Sequence, residues 1–336
     1  MKGWIATRGD PSCFALPDDK VKTFWGKHKA TQWLESIEHH TNFPLARATT
    51  FRIGGPADVL ARPNTVEELA RVMAVARDHG IPVFILGGGS NILVSDQGFA
   101  GIAIQLKGEL TQIQVRDDGR EIVAGAGAPY PALTRAALRL GWPSAVGWMG
   151  TPGQVGGALR MNAGSRLGEI GDVVHEVEGI LHGEPRAVSR SDITFAYRDS
   201  SLSEMDVITH ARLRGEPGDE SQVRDCQQRA REQVRARFTR QPKGPSAGSV
   251  FRNPLGDFAG RLIEACNLKG TRVGGAQVSP VHANFIVNTG GAAAQDVYRL
   301  SREIQRIVHE NSGVMLQYEL RFVGDFDSAG LWCAVA

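Results

Sequence analysis

The chain has 336 residues, 42% of them apolar, enough to build two or three packed domains. Its 38 Lys and Arg against 36 Asp and Glu leave a net charge of +2, which gives no reason to expect a nucleic-acid or membrane-surface partner. Cys13, Cys226, Cys266 and Cys333 form no CxxC pair, so they fit reduced thiols better than a disulfide framework or a zinc site.

Residues 1–30 are polar, mixed and without a period, and read as a disordered extension unless Trp4, Phe24 and Trp25 dock it onto the body. Met1 to Asp10 lack the apolar stretch of a signal peptide. No apolar run reaches the ~20 residues of a membrane helix, so the expectation is a soluble, cytoplasmic protein. Thr31 to His40 reads as a short helix with Trp33, Leu34 and Ile37 on one side. Thr65-Val66-Glu67-Glu68 is a capping-box pattern, and Leu69, Val72, Met73 and Ala76 follow at helical spacing until Gly80 and Pro82. Short strands are predicted at Val83 to Leu86, Ile92 to Ser95, Gly101 to Leu106 and Glu121 to Ala124, and a helix at Tyr130 to Leu140. Val173 to Leu181 and Asp206 to Leu213 alternate like strands.

Residues 218–246 are charged and helix-permissive and read as a helical linker, dividing a region at 31–217 from one at 247–326. The second region offers a helix at Phe258 to Leu268, a strand at Asn284 to Asn288 and a long helix near Ala293 to Glu310. Val297, Leu300, Ile304, Ile307 and Val308 line one face of that helix. A closing strand is predicted at Val314 to Phe322. The mixture is that of an α+β protein.

Two glycine-rich segments stand out. Gly87-Gly88-Gly89-Ser90-Asn91 joins two strands, whereas a Rossmann fingerprint opens a helix. Consecutive glycines can turn their amides toward a phosphate, or can simply make a tight turn. Gly147 to Gly164 is glycine-dense enough to suggest either a large flat ligand against the backbone or an irregular loop packed on itself.

These segments belong to an ordered series: TTFRIGGPA at 49–57, ILGGGSNILVSD at 85–96, GTPGQVGGALRMNAG at 150–164 and YRDS at 197–200. AGSVFRNP at 247–254, AGRLIEACNLKG at 259–270, GGAQVSPVHANFIVN at 274–288 and LQYELRFVG at 316–324 follow. The series resembles the UDP-N-acetylenolpyruvoylglucosamine reductase (MurB) family of bacterial cell-wall synthesis. The resemblance implies a two-part FAD-binding module of the vanillyl-alcohol-oxidase type followed by a C-terminal α+β substrate domain. It also implies FAD, with NADPH as hydride donor and UDP-N-acetylglucosamine enolpyruvate as substrate, handled by a monomer. Gly87, Gly88, Gly89, Ser90 and Asn91 would hold the FAD pyrophosphate, with Gly150, Gly156 and Gly157 bordering the flavin. Wider members of the fold often attach flavin through a His near the glycine loop. None occurs here between His79 and His175, so non-covalent FAD is expected.

The same resemblance gives three residues catalytic roles. Arg198 would be the cation beside the substrate carboxylate, although by itself it reads more readily as a loop arginine paired with Asp199 or a backbone carbonyl. Ser249 would be the proton donor, although Gly-Ser pairs usually cap turns. Glu319 would sit in the site as an acid or as electrostatic support, with a pKa raised by burial. By periodicity alone it lies with Gln317 on the solvated face of a strand. The short interval between Arg198 and Ser249 resembles the family form without a clamping tyrosine. Tyr197, Lys243, Arg252, Asn253, Gln277 and His282 are candidates for the sugar and diphosphate. Arg160 and Ser165-Arg166 depart from the pattern around MNAG. A sugar or lactone oxidase on the same scaffold and a non-catalytic UDP-sugar-binding protein are the alternatives.

Overall fold

The computed structural model describes Leu34, residues 36–204 and residues 206–326, with backbone alone for Ser203 and Glu204. The extension at 1–30, most of the expected helix from Thr31, and Cys13 and Cys333 lie outside the described residues.

The first part of the chain alternates strand and helix. Strands β1 (Glu38–Pro44) and β2 (Pro56–Arg62) lead to helix α1 (Val66–Asp78), then to β3 (Val83–Ile85), β4 (Ile92–Val94) and β5 (Phe99–Ile104). Four of these form a sheet in the order β1-β2-β5-β3, antiparallel between β1 and β2 and parallel elsewhere. Glu38 to His40 are thus the start of a strand rather than the end of a helix. Their register against Leu60, Ala61 and Arg62 satisfies the backbone through the sheet. Helix α1 starts where the sequence places it: the Thr65 hydroxyl accepts from the Glu68 amide at 3.2 Å. The Glu68 carboxylate takes the amide of Asn64 at 2.7 Å, one residue earlier than a standard capping box. Leu69, Val72 and Ala76 form the buried face of α1.

A five-strand antiparallel sheet follows, built from β6 (Ile113–Arg116), β7 (Glu121–Gly125), β10 (Val174–Leu181), β11 (Glu184–Ser189) and β14 (Val207–Arg214) in the order β11-β10-β14-β7-β6. Between β7 and β10 lie helices α2 (Tyr130–Arg139) and α3 (Val155–Arg160) and the two-residue strands β8 (Gly164–Ser165) and β9 (Gly168–Glu169). Strands β12 (Phe195–Ala196) and β13 (Asp199–Ser200) form a tight hairpin with Tyr197 and Arg198 at its tip. Tyr130, Trp142 and Trp148 are fully buried in the core between this sheet and α1, α2 and α3.

Helix α4 (Glu220–Arg240) runs to the last part of the chain, opened by a capping box in which Asp219 accepts from Ser221 and Gln222. Next come α5 (Ala259–Ala265), a sheet of β15 (Arg272–Val273), β16 (Ala276–Val278) and β17 (Ile286–Asn288), and helix α6 (Ala294–Ser312). Val297, Leu300, Ile304 and Val308 are buried along α6, each contributing about 1.5–3 kcal/mol of transfer free energy. Gly313 ends the helix at φ 72, a conformation that glycine adopts without steric cost.

The expected strand from Val314 to Phe322 is regular only at β18 (Arg321–Val323), which pairs in parallel with β4. The chain therefore returns to the first sheet's glycine loop. The core of the last part takes in Phe51, Ile53 and Leu93 from the first part, so the two pack as neighbours. No helix among the described residues is long and apolar enough to cross a membrane.

Candidate active site

The glycine loop at 87–91 lies between β3 and β4. Among the described residues, the amides of Gly87, Gly88, Gly89 and Ser90 donate to no protein acceptor. Gly89 has φ 61, and a Cβ on it would stand 2.0 Å from the Ala48 carbonyl oxygen, so no other residue fits there. A Cβ on Gly88 would fall 2.9 Å from Cα of Gly153, which places the second glycine cluster against the first. In α3, the Gly156 amide bonds the Ala126 carbonyl at 2.8 Å, while a Cβ on Gly157 would meet nothing within 4 Å. Four consecutive free amides beside a glycine that faces open space fit a dinucleotide whose phosphates need donors and whose ring needs a flat, close backbone. Gly150, at φ 74, lies against Arg237 of α4. The Arg237 guanidinium donates to the Met149 carbonyl at 2.8 Å and to the Thr151 hydroxyl at 3.0 Å, so the linker helix fixes the start of this cluster.

The loop is also stitched to the last part of the chain. Thr50 donates its amide to the Gly89 carbonyl at 3.0 Å and its hydroxyl to the Ser246 carbonyl at 2.6 Å. The Asn91 side chain donates to the Glu319 carbonyl at 3.0 Å, and the Arg321 amide donates to the Asn91 carbonyl at 3.0 Å. Asn91 thus has a structural bond that the sequence did not show.

Ser249 follows Gly248, whose φ of 78 marks the bend, and forms an isolated antiparallel bridge to Phe285. It is half-buried, and its neighbourhood is held by Asn284, which is 3% exposed. The Asn284 side chain accepts from the Phe251 amide at 3.0 Å and donates to the Phe251 carbonyl at 2.8 Å. Phe251 bridges Tyr318 with the rings 5.1 Å apart, and the Glu319 amide donates to the Val250 carbonyl at 2.9 Å. Ser249 and Glu319 therefore sit on two adjacent extended segments.

Arg198 arrives from the first part of the chain, at the tip of the β12–β13 hairpin. Its φ of 55 is uncommon for a residue with a side chain, and such strain gathers at functional sites. Arg198 Nε lies 3.1 Å from Glu319 Oε1, and Nη1 donates to the Gly164 carbonyl at 3.4 Å. The contact to Glu319 is an ion pair that misses the N–H direction, since Nε is buried and makes no hydrogen bond. Tyr197 lies under the guanidinium, 5.6 Å from its ring centre, and its hydroxyl accepts from Asn253 Nδ2 at 3.2 Å. Glu319 is 16% exposed, and burial pushes its carboxyl above the usual range while Arg198 and Arg252 pull it back. The periodicity that set Glu319 with Gln317 on a solvated face holds for the exposed Gln317 but misplaces Glu319, which the Arg198 hairpin meets.

The other candidates divide. Asn253 faces Tyr197 and also accepts from the Ala259 amide at 3.1 Å, which anchors α5. Lys243 is exposed and makes no hydrogen bond among the described residues. Gln277 is tied to Gly270 and Arg272. His282 accepts from the Asn284 amide, packs on Phe285 and is held below its ordinary pKa by burial. Neither Gln277 nor His282 bonds to Arg198, Ser249 or Glu319. Arg160 is half-buried, bonds the Asp206 carbonyl and lies near Arg321, and desolvation pushes its guanidinium down to about 10. Two residues passed over in the sequence matter here. Asn284 clamps the serine segment, and Asp96 accepts from the Ala294 and Gln295 amides at 2.7 and 3.1 Å, capping α6 from the other half of the molecule. Asp96 closes the ILVSD motif, and Asn284 sits in HANF, so both fell within segments already singled out.

Comparison with known proteins agrees with this geometry. Residues 57–184 match the FAD binding domain, and residues 240–323 match the C-terminal domain of UDP-N-acetylenolpyruvoylglucosamine reductase. The reductase of Moorella thermoacetica is 42% identical over 287 residues, covering 85% of this chain and 93% of that protein. That of a Synechococcus is 44% identical over 289 residues, covering 84% and 91%. The crystal structure of the Thermus caldophilus reductase superposes with a TM-score of 0.72 at 37% identity, covering 86% of this chain and 99% of that one. With its glycine cradle and its Arg198–Glu319 pair in place, the chain belongs to the UDP-N-acetylenolpyruvoylglucosamine reductase family.

Proposed function

We propose that the seam between the two halves carries the family's reaction, the NADPH-dependent reduction of UDP-N-acetylglucosamine enolpyruvate to UDP-N-acetylmuramate. The observation that carries this reading is the 3.1 Å approach of Arg198 to Glu319 across that seam, beside a glycine loop whose Asn91 holds the Glu319 backbone. Gly87 to Asn91, with Gly150, Gly156 and Gly157, would hold FAD without a covalent link. FAD supplies the hydride that it receives from NADPH.

The residues of the chain do the rest. The Arg198 guanidinium takes the enolpyruvyl carboxylate and stabilises the charge that grows on it. Glu319, buried and biased toward its protonated form, donates to the same carboxylate or steadies Arg198. The Ser249 hydroxyl gives a proton to the carbon beside the carboxylate. A hydroxyl is a weak acid, so this step relies on close placement and a strongly basic carbanion. Lys243, without a hydrogen bond among the described residues, would contact the diphosphate, and Tyr197 and Asn253 would line the approach to the sugar. Gln277 and His282 are candidates for the sugar's outer edge.

Residues 247–326 would act as the substrate-binding domain, joined by the linker at 218–246 to the FAD module at 31–217, in a chain that works as a monomer. The unpaired Cys226 and Cys266 fit a cytoplasmic setting, where this peptidoglycan precursor is made. The test is NADPH oxidation by the purified holoenzyme. Oxidation that depends on the enolpyruvyl sugar and yields a product heavier by two hydrogens supports the reading. Oxidation that consumes oxygen and leaves the sugar unchanged replaces it with an oxidase.

A further inference from the structure

Arg252 was placed by sequence among the candidates for the diphosphate, but its surroundings point elsewhere. It is half-buried, and its Nε is shielded from solvent and makes no hydrogen bond among the described residues. Its amide donates to the Gln317 carbonyl at 2.8 Å, Phe251 bridges Tyr318, and the Val250 carbonyl accepts from the Glu319 amide. In that register Glu319 stands opposite Val250, and Arg252 is its diagonal neighbour on the same face, within reach of a long side chain. Arg198 meets the same carboxyl from the β12–β13 hairpin. Two shielded guanidinium Nε atoms that make no hydrogen bond among the described residues thus flank one half-buried carboxyl, Arg198 in an ion pair with it and Arg252 acting through its charge from the adjoining segment.

We infer that Arg252 is a positioning residue for Glu319, forming with Arg198 a two-guanidinium clamp that sets the protonation state of that carboxyl when the substrate's carboxylate arrives. The inference rests on the reductase reading above. Burial favours the neutral acid, and the two cations oppose it. The charged groups facing Glu319 are Arg198 from the hairpin and Arg252 from the adjoining segment. Arg321 on its own segment lies near Arg160 instead. A clamp of two positive charges accommodates the substrate carboxylate and the further charge of an enolate, with Glu319 as the group that adjusts. Removing one cation leaves Glu319 harder to ionise, so whatever step depends on its titration moves to higher pH.

The experiment is stopped-flow re-oxidation of the NADPH-reduced holoenzyme by UDP-N-acetylglucosamine enolpyruvate as a function of pH, with flavin reduction by NADPH as internal reference. The limb of the profile that disappears in Glu319→Gln belongs to Glu319. In Arg252→Met this limb shifts upward by about one pH unit, as expected for losing a nearby charge in a partly shielded site. In Arg252→Lys, which restores the charge, it stays near its wild-type position. An unmoved limb in Arg252→Met, even with a slower rate, marks a merely structural arginine and overturns the inference, as does a wild-type profile that Glu319→Gln leaves unaltered. Should Arg252→Met fail to retain flavin, Arg252→Gln is read by the same criterion. A wild-type enzyme whose reduced flavin ignores this substrate sinks the reductase reading itself, which separates the two failures.

Discussion

The glycine cradle and the Ser249–Glu319 seam are built on opposite principles. The cradle is backbone. Its donors are amides, and its residues are recognised by what they lack, as at Gly89, where a Cβ would collide with Ala48, and at Gly157, where one would enter open space. The seam is side chain. Arg198, Ser249 and Glu319 come from three distant segments, and Thr50, Asn91 and Asp96, with the β18–β4 pairing and a shared core, tie the halves that carry them together. A backbone cradle tolerates little change locally and depends on the close approach of two glycine-rich segments, as at Gly88 and Gly153. A side-chain seam depends on interdomain bonds that are individually modest.

The sharpest way to break this distinction is Arg198→Met. It removes a bidentate carboxylate partner and the charge that stabilises the enolate, and it leaves Glu319 buried without its ion pair. We expect kcat/KM for the enolpyruvyl sugar to fall by about four orders of magnitude, combining ~10²–10³ of lost electrostatic stabilisation with weaker binding. Flavin content, read by absorbance, should hardly change, because the one bond of Arg198 to the glycine-rich segments goes to the Gly164 carbonyl, away from Gly87–Asn91, Gly150, Gly156 and Gly157. Loss of flavin would show that the seam and the cradle are not separable.

Gly157→Ala tests the other side. The added methyl meets no protein atom, so the FAD-free protein should unfold at the same or slightly higher urea concentration, by up to about 1 kcal/mol for Ala over Gly in a helix. FAD affinity, measured by fluorescence quenching, should fall about tenfold as the methyl occupies the ligand's space. Unchanged affinity would remove Gly157 from the flavin contact.

Asp96→Ala removes the cap on α6 and should cost about 1 kcal/mol in urea denaturation. The smallest effect concerns Glu319→Gln. Burial holds the folded carboxyl above its ordinary value of 4.5, so its favourable contribution is complete below that pH and is lost as pH rises through the folded value. The Gln variant should match wild type in acid and be modestly more stable near neutrality, although slower in catalysis. A variant less stable at neutral pH would mean that the ion pair to Arg198 outweighs burial.

Much of this division was legible in the sequence. Helix α1 announces itself through Thr65 and Glu68, α6 through its apolar stripe, and the cradle through uninterrupted glycines, because each signal is local. The start of β1, Glu38 to His40, was read as helix because its pairing with β2 is tertiary. Periodicity alone put Glu319 on a solvated face for the same reason, and only the family resemblance anticipated its shielding and raised pKa. Leu316 and Leu320 lie in the core, and on the opposite face the Arg198 hairpin, from far along the chain, shields Glu319 while Gln317 stays exposed. Asn284 and Asp96 bond to segments that no local pattern links to them.

The most direct test of the central claim, that hydride supply and proton delivery belong to different halves of the molecule, is Ser249→Ala in separated half-reactions. The account predicts that NADPH bleaches the flavin at nearly the wild-type rate. Re-oxidation by UDP-N-acetylglucosamine enolpyruvate under anaerobic conditions then slows by about a thousandfold, the range expected when a proton donor is removed. Equal slowing of both half-reactions, or no slowing of the second, would contradict it.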